Sequence, residues 1–103
     1  MVITFEDEYL EFLYSGTILK GKPKFSQEVV KKFIKTIDII KYVENTNKLH
    51  EFKGLNFEAL KGNLKGKYSV RVDYHYRMIF RIEQDKMIVE EIVVIERLSN
   101  HDY

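Results

Sequence analysis

The first half of the chain has apolar residues at strand and helix spacings. Residues 1–5 are β-branched and apolar, which predicts a short strand. A helix then follows, with acidic residues 6–8 in its first turn and Ser15–Gly16 at its end. Ser26 is a good N-cap for a longer helix near residues 26–44. Phe25 and Val30 occupy the two positions whose side chains pack together in a hydrophobic staple. The apolar stripe of that helix comprises Val30, Phe33, Ile34, Ile37 and Ile40.

After Gly66 the hydrophobic period changes to two. This alternation predicts strands over residues 68–72, 76–82 and 87–95, joined by turns near 73–75 and 83–86. Glu90 and Glu91 interrupt the last strand, as a bulge or an exposed stretch. Residues 48–65 are expected to form a loop with at most a short helical turn, and residues 96–103 a polar tail. The order predicts an α+β fold with helices on one face of a sheet that ends in a three-stranded meander.

The chain has 103 residues, of which 45% are hydrophobic, and it contains no cysteine. That length predicts a single domain over residues 1–103, and the apolar fraction excludes a disordered chain. The absence of cysteine excludes disulfides and suits a reducing compartment. No apolar stretch approaches the roughly 20 residues of a membrane span, and no signal peptide is evident. We therefore expect a soluble, cytoplasmic domain with no membrane partner.

Charge is distributed unevenly along the chain. The formal net charge is +1, yet residues 53–81 carry +5 and residues 82–103 carry −4. A basic block followed by an acidic one indicates an anion-binding surface. Pairing of opposite charges across neighbouring strands is the alternative, and it contributes little energy.

The strand alternation places basic side chains on the sheet face opposite the core. Arg71, Arg77 and Arg81 alternate with core residues, and Lys61, Lys65 and Lys67 lie in the lead-in to the same sheet. Such a face can bind phosphate, although an ordinary solvated face has the same pattern. Tyrosines could stack on bases if any of them reach it, the candidates being Tyr68, Tyr74, Tyr76 and Tyr103.

Other catalytic motifs are missing from the sequence. His50, His75 and His101 are scattered and lack the spacing of a metal site. The chain has no nucleophile elbow, Walker loop or dinucleotide-binding fingerprint, and no spacing singles out a carboxylate pair. We therefore expect no metal and no small-molecule cofactor.

Four segments of the sequence resemble a known family. They read FEALKGN at 57–63, GKYSVRV at 66–72, YRMIF at 76–80 and LSNH at 98–101. In this order and spacing they resemble HigB-like plasmid maintenance killer proteins of the RelE/ParE superfamily. The resemblance implies two helices on a mainly antiparallel sheet. It also implies a type II toxin that cleaves mRNA in the ribosomal A site without metal or cofactor, inhibits translation and is neutralised by a helix-turn-helix, HigA-like antitoxin.

The resemblance also implies roles for individual residues. Lys61 of the Leu-Lys-Gly turn and Arg77 of the aromatic-Arg strand correspond to groups that bind phosphate and stabilise charge, followed by Arg71. His101 and Tyr103 stand near a terminal His and Tyr of relatives, which imply proton transfer or base stacking.

The resemblance leaves the identity of the general base open. Many relatives have His where this chain has Asn56, which leaves Glu58 as the candidate base. Arg81, Lys65 and Lys67 are the remaining candidates for RNA binding. Two other functions stay open: a ParE-like gyrase poison, and a catalytically inactive homologue that only binds antitoxin or RNA.

Overall fold

The computed structural model describes residues 1–85, 87 and 90–100. Its sheet contains five strands in the order β1-β5-β4-β3-β2. β1 is parallel to β5, and the other neighbours are antiparallel. The strands are β1 (Val2–Phe5), β2 (Glu58–Ala59), β3 (Tyr68–Arg71), β4 (Arg77–Asp85) and β5 (Glu90–Ser99). The α-helices are α1 (Glu8–Ser15) and α2 (Gln27–Tyr42), and short 3-10 helices span Thr46–Glu51, Lys53–Leu55 and Gly62–Leu64.

Side-chain caps fix where both α-helices begin. Ser26 caps α2 as predicted, since its hydroxyl accepts a hydrogen bond from Val29 N at 3.2 Å. Glu6 and Asp7 lie outside α1, not in its first turn as predicted, since the helix begins at Glu8. Asp7 is the N-cap, because its carboxylate accepts hydrogen bonds from Tyr9 N and Leu10 N. α1 ends at Gly16, where a φ of 79° requires the left-handed conformation that glycine adopts without a Cβ clash.

The core lies between the two helices and one face of the sheet. Phe33, Ile37 and Ile40 of α2 are fully buried and share a cluster with Met78 and Phe80 of β4. The predicted α+β arrangement is therefore confirmed, with helices on one sheet face. Burying a side chain of this size contributes about 1.5–3 kcal/mol, so the stripe along α2 provides much of the stability.

The structure corrects the predicted ends of the last two strands. β4 continues to Asp85, and β5 runs to Ser99, through half of the segment predicted as a polar tail. The prediction of a bulge at Glu90–Glu91 was wrong, because the pairing register between β4 and β5 is continuous there. Glu91 instead accepts hydrogen bonds from Thr46 N at 2.8 Å and Thr46 Oγ1 at 2.7 Å, at the first residue of a 3-10 helix.

The register shift lies further along β5. Ile79 is paired with Arg97 and Phe80 with Ile95, so Glu96 is the extra residue of a bulge. The short helical turn expected within residues 48–65 is present as 3-10 helices, whereas the two-residue strand β2 was missed. Neither α-helix of the described part combines the length and apolar character that a bilayer span requires.

Candidate active site

The sheet face opposite the helices carries the predicted site residues, and we call it the outer face. Two rows of paired residues cross it. One row joins Arg71 of β3, Arg77 of β4 and Ser99 of β5. The next row joins Glu58, Ser69, Ile79 and Arg97. Because side chains alternate along a strand, each row presents its residues to the same face.

Arg77 is held at the centre of this face by several acceptors. Its Nε and Nη2 atoms donate to Ser69 Oγ at 3.1 and 3.0 Å, and Nη2 also donates to the Asn56 carbonyl at 2.9 Å. The Glu58 carboxylate lies 3.3 Å from Nη2. The Arg77 side chain is 19% exposed, and Ser69 is fully buried. The guanidinium is thus fixed before any ligand arrives, with part of its surface open to solvent.

Backbone geometry at Asn56 brings Glu58 to this position. Asn56 has a φ of 45° and ends the short 3-10 helix Lys53–Leu55 in the left-handed region, which Asn tolerates better than most residues. The turn directs its carbonyl to Arg77 and leads the chain into β2, where Glu58 is paired with Ser69. Two residues predicted as catalytic, Glu58 and Arg77, are therefore in direct contact.

Two further arginines flank this network. Arg71 lies opposite Arg77, is exposed, and makes no hydrogen bond or ion pair within residues 1–85, 87 and 90–100. Arg97 is likewise exposed and without such a partner in that part of the chain. Sequence reasoning missed Arg97 because residues 96–103 were predicted to be a tail. One signal could have located Arg97. The alternation of apolar and polar residues continues beyond Ile95, displaced by one residue at Glu96.

A second charged cluster, centred on Glu96, lies beside the network around Arg77, and its charges neutralise one another. Glu96, whose side chain is 8% exposed, accepts from Lys67 Nζ at 2.5 Å and from Arg81 Nη1 at 3.0 Å. Arg81 also pairs with Glu6 and Glu83. Burial raises the pKa of Glu96, but the hydrogen bonds and charges of Lys67 and Arg81 outweigh it, so its pKa lies below the ordinary value. Hydrogen bonds to Glu6, Glu83 and Glu96 raise the pKa of Arg81 further above its ordinary value.

Both interpretations of the uneven charge therefore apply, each to different residues. Lys67 and Arg81 are neutralised by acidic side chains, as expected if charges pair across strands. Arg71 and Arg97 are not paired with any carboxylate of the described residues. The outer face thus combines a self-neutralised cluster with a cationic region around Arg77.

The sequence matches a known family over most of its length. Residues 3–94 match the family described as RelE-like toxin of type II toxin-antitoxin system HigB. The chain is also 31% identical over 81 residues to Toxin HigB-1 of Vibrio cholerae serotype O1, across 79% of this chain and 83% of that toxin. The chain belongs to the HigB-like family. It is a toxin of a type II toxin-antitoxin system.

Solved structures of related toxins share the fold of this HigB-like toxin. The YoeB/ParE toxin from Agrobacterium tumefaciens is 18% identical, with a TM-score of 0.58 over 99% of this chain and 100% of that one. A YoeB dimer from Staphylococcus aureus is 21% identical, with a TM-score of 0.55 over 99% and 98%. The predicted RelE-like α+β fold is confirmed.

Lys61 of the Leu-Lys-Gly turn and Lys65 of the lead-in to the sheet lie near the end of β3 that is far from Arg71. In this toxin Leu60 N donates to Lys67 O at 2.9 Å, which places Lys61 beside that end. Arg71 is four residues from Lys67, about 13 Å along the strand. Lys61 and Lys65 are exposed, and Lys61 makes no contact with Arg77 among the hydrogen bonds and ion pairs of the described residues. Their roles stay predictions.

The remaining candidates of this toxin are dispersed. His101 and Tyr103 lie outside the described residues, so their predicted roles stay predictions. Tyr68 lies on the helix side, stacked on Phe57 at 5.6 Å and on Phe80 at 6.0 Å between ring centroids. Among the other aromatic and histidine candidates, His50 contacts Phe57, Tyr76 contacts Phe25, and Tyr74 and His75 lie in the turn after β3.

Proposed function

We propose that this toxin is a metal-independent, ribosome-dependent mRNA endonuclease that inhibits translation and acts in the cytoplasm, where its substrate is translated. The observation that carries the proposal is the fixed contact between Arg77 and Glu58 on the outer face. A carboxylate that can accept a proton and a guanidinium that can stabilise a phosphorane are two of the groups that RNA cleavage by an internal hydroxyl requires. Family membership supports the same activity.

The reaction begins at a ribose 2′-hydroxyl of the bound message. The 2′-oxygen attacks the adjacent phosphorus while its proton passes to the Glu58 carboxylate, whose side chain is 49% exposed. The bond from phosphorus to the 5′-oxygen breaks, and that oxygen takes a proton from water or from an acid such as His101 or Tyr103. The products are a 2′,3′-cyclic phosphate and a free 5′-hydroxyl. Every group required is a side chain, the RNA or water.

Arg77 stabilises the extra negative charge that develops on the phosphorane. Its hydrogen bonds to Ser69 and Asn56 hold the guanidinium in place, so little reorganisation is needed when the charge forms. Arg71 and Arg97 contact neighbouring phosphates from positions beside it, and Lys61 and Lys65 contact the message further along β3. Lys67 and Arg81 stabilise the sheet through their shared partner Glu96. Because their charges are already neutralised, they contribute less to RNA binding.

The ribosome provides the positioning that this small surface lacks. About four to six phosphate contacts give modest, salt-sensitive affinity for free RNA, with a salt slope near that number. Alignment of the 2′-oxygen with the scissile bond then depends on the message as it is held in the A site.

We propose that a helix-turn-helix, HigA-like antitoxin binds this toxin and neutralises it.

The deciding experiment maps 5′ ends on a translated message after expression of the wild type, Arg77→Ala and the control Lys35→Ala, a change on the exposed side of α2. We expect cuts within codons for the wild type and Lys35→Ala, and about 10²–10³-fold fewer for Arg77→Ala. DNA damage signalling without mRNA cleavage would instead indicate a gyrase poison. A message that is protected but intact would indicate a binding homologue.

A further inference from the structure

The turn that joins β3 to β4 presents two aromatic rings to solvent. Tyr74 is 91% exposed and His75 is exposed, with their ring centroids 5.6 Å apart and their planes at 71°. Tyrosine normally buries most of its ring. In the described part of the chain, His75 is the one aromatic neighbour of Tyr74. The apolar faces of this pair are therefore available to a ligand.

Hydrogen bonds fix the backbone of the turn that carries these rings. The Asp73 carboxylate accepts hydrogen bonds from His75 N at 2.9 Å and Tyr76 N at 2.8 Å, and Val72 N donates to Tyr76 O at 2.9 Å. Tyr76 packs edge-on against Phe25, with ring centroids 5.5 Å apart. A ligand that stacks on Tyr74 consequently does not have to order the loop first.

Cationic side chains lie on both sides of the turn. On the outer face, Arg71 and Arg77 form the last residue pair before the turn. On the helix side, a groove of about 440 Å³ separates the turn from the start of α2. Lys24 lines its opposite wall together with Lys32 and Glu28, which pair at 3.4 Å, and Asp73 lines the turn side. Exposed aromatic rings between cationic side chains are the combination by which proteins bind single-stranded nucleic acid.

We propose that Tyr74 and His75 form a base-stacking subsite for single-stranded RNA. The subsite takes an unpaired base of a nucleotide beside the phosphate held at Arg77, an assignment that rests on the proposed endonuclease function. Arg71 and Tyr74 are three residues apart, so their Cα atoms are separated by at most about 10 Å, which places the ring within a few nucleotides of a phosphate bound at the arginines. Stacking selects unpaired bases with little sequence preference, because every base has a π face.

The test measures fluorescence anisotropy of a labelled single-stranded RNA hexanucleotide with the purified full chain. We expect Tyr74→Ala, which removes the ring on which one base stacks, to lower the affinity for the hexanucleotide by about 5- to 150-fold. We expect His75→Ala to weaken binding as well, and Tyr74→Phe, which keeps the ring, to stay within about twofold of wild type. Tyr42→Ala is the matched control, since Tyr42 is 82% exposed near the other end of α2. Thermal unfolding of each variant confirms that the chain is folded.

Wild-type affinity in Tyr74→Ala overturns the inference, as does an equal loss in Tyr42→Ala. Loss of antitoxin binding with unchanged RNA binding also overturns it and assigns the turn to a protein partner. The same variants are tested for cleavage of a translated message. If the wild type cuts no message while Tyr74→Ala still loses affinity for the hexanucleotide, the subsite stands and the endonuclease function fails.

Discussion

Arg77 is paired with Arg71 across β3 and β4, yet its guanidinium donates to Ser69, two residues further back along β3. Two like charges in directly opposed positions would repel each other. Because Arg77 extends towards Ser69 and Glu58, its charge is compensated and Arg71 remains exposed. Ser69 and Glu58 thus allow two arginines to share one end of the outer face, Ser69 by directing the Arg77 side chain and Glu58 by compensating its charge.

Ser69→Ala is predicted to impair both stability and cleavage. The change leaves the Nε–H of the largely buried Arg77 without its acceptor, which costs about 1–3 kcal/mol in the free energy of unfolding. Because the guanidinium keeps its contacts with Asn56 and Glu58 but loses the hydroxyl that orients Nε, we expect cleavage of a translated message to fall by about tenfold. Urea unfolding and counts of 5′ ends measure the two effects.

The matched control is Arg71→Ala, which removes an exposed side chain on the same strand. We expect Arg71→Ala to lower RNA affinity and its salt slope without lowering stability. Equal stability of Ser69→Ala and wild type would show that the hydroxyl does not hold Arg77.

Glu58→Gln is predicted to remove the general base while keeping RNA binding. The amide can still contact Arg77 but cannot take a proton from the 2′-hydroxyl, and such proton transfer typically contributes about 10²–10⁴-fold in rate. We expect the cleavage rate to fall by that order and the affinity for a single-stranded oligonucleotide to change by less than threefold. Glu83→Gln, a change elsewhere on the outer face, is the control. Cleavage at the wild-type rate by Glu58→Gln would assign the base to another residue.

The sequence predicted the helices and the outer-face arginines because their signals are periodic and local. Ser26 caps α2 through its own first turn, and the alternation of β4 puts Arg77 and Met78 on opposite faces without reference to other elements. Both inferences use residues a few positions apart. Neither inference required the order of the strands in the sheet.

The remaining features of the site depend on contacts between distant segments. Lys67 and Arg81 were predicted to bind RNA, but their pairing with Glu96 requires the register of β5, which a one-residue bulge displaces. The left-handed turn at Asn56 likewise acquires its role only when β4 brings Arg77 within 2.9 Å of its carbonyl. Hydrophobic period alone could not locate either feature.

Glu96→Gln is predicted to destabilise the protein in a pH-dependent way. The folded-state pKa of Glu96 is lowered from the ordinary value of 4.5, so the carboxylate contributes stability that is complete above about pH 5. That stability is lost as the pH falls through the folded-state pKa. At pH 7 we expect a loss of about 1–3 kcal/mol, because Lys67 and Arg81 lose the charge of the buried Glu96 carboxylate.

Unfolding free energies of wild type and Glu96→Gln at several pH values between 7 and 3 test this prediction. The difference between the two proteins should shrink as the pH falls. Glu83→Gln removes a carboxylate whose side chain is 52% exposed, and it should cost much less at every pH. A wild-type advantage that stays constant down to pH 3 would contradict the assignment.

Tyr14→Phe is predicted to remove an alkaline pH dependence of stability. The Tyr14 hydroxyl donates to Asp38 Oδ1 at 2.6 Å and so joins α1 to α2, and this hydrogen bond together with burial raises the pKa of Tyr14 from 10.0 to about 12. A raised folded-state pKa means that the contribution is complete below about pH 10 and is lost as the pH rises through 12. At pH 8 the variant should be less stable by about 1 kcal/mol or less. The two proteins should converge between pH 10 and 12 in thermal unfolding, whereas Tyr42→Phe, at an exposed ring, should follow wild type throughout.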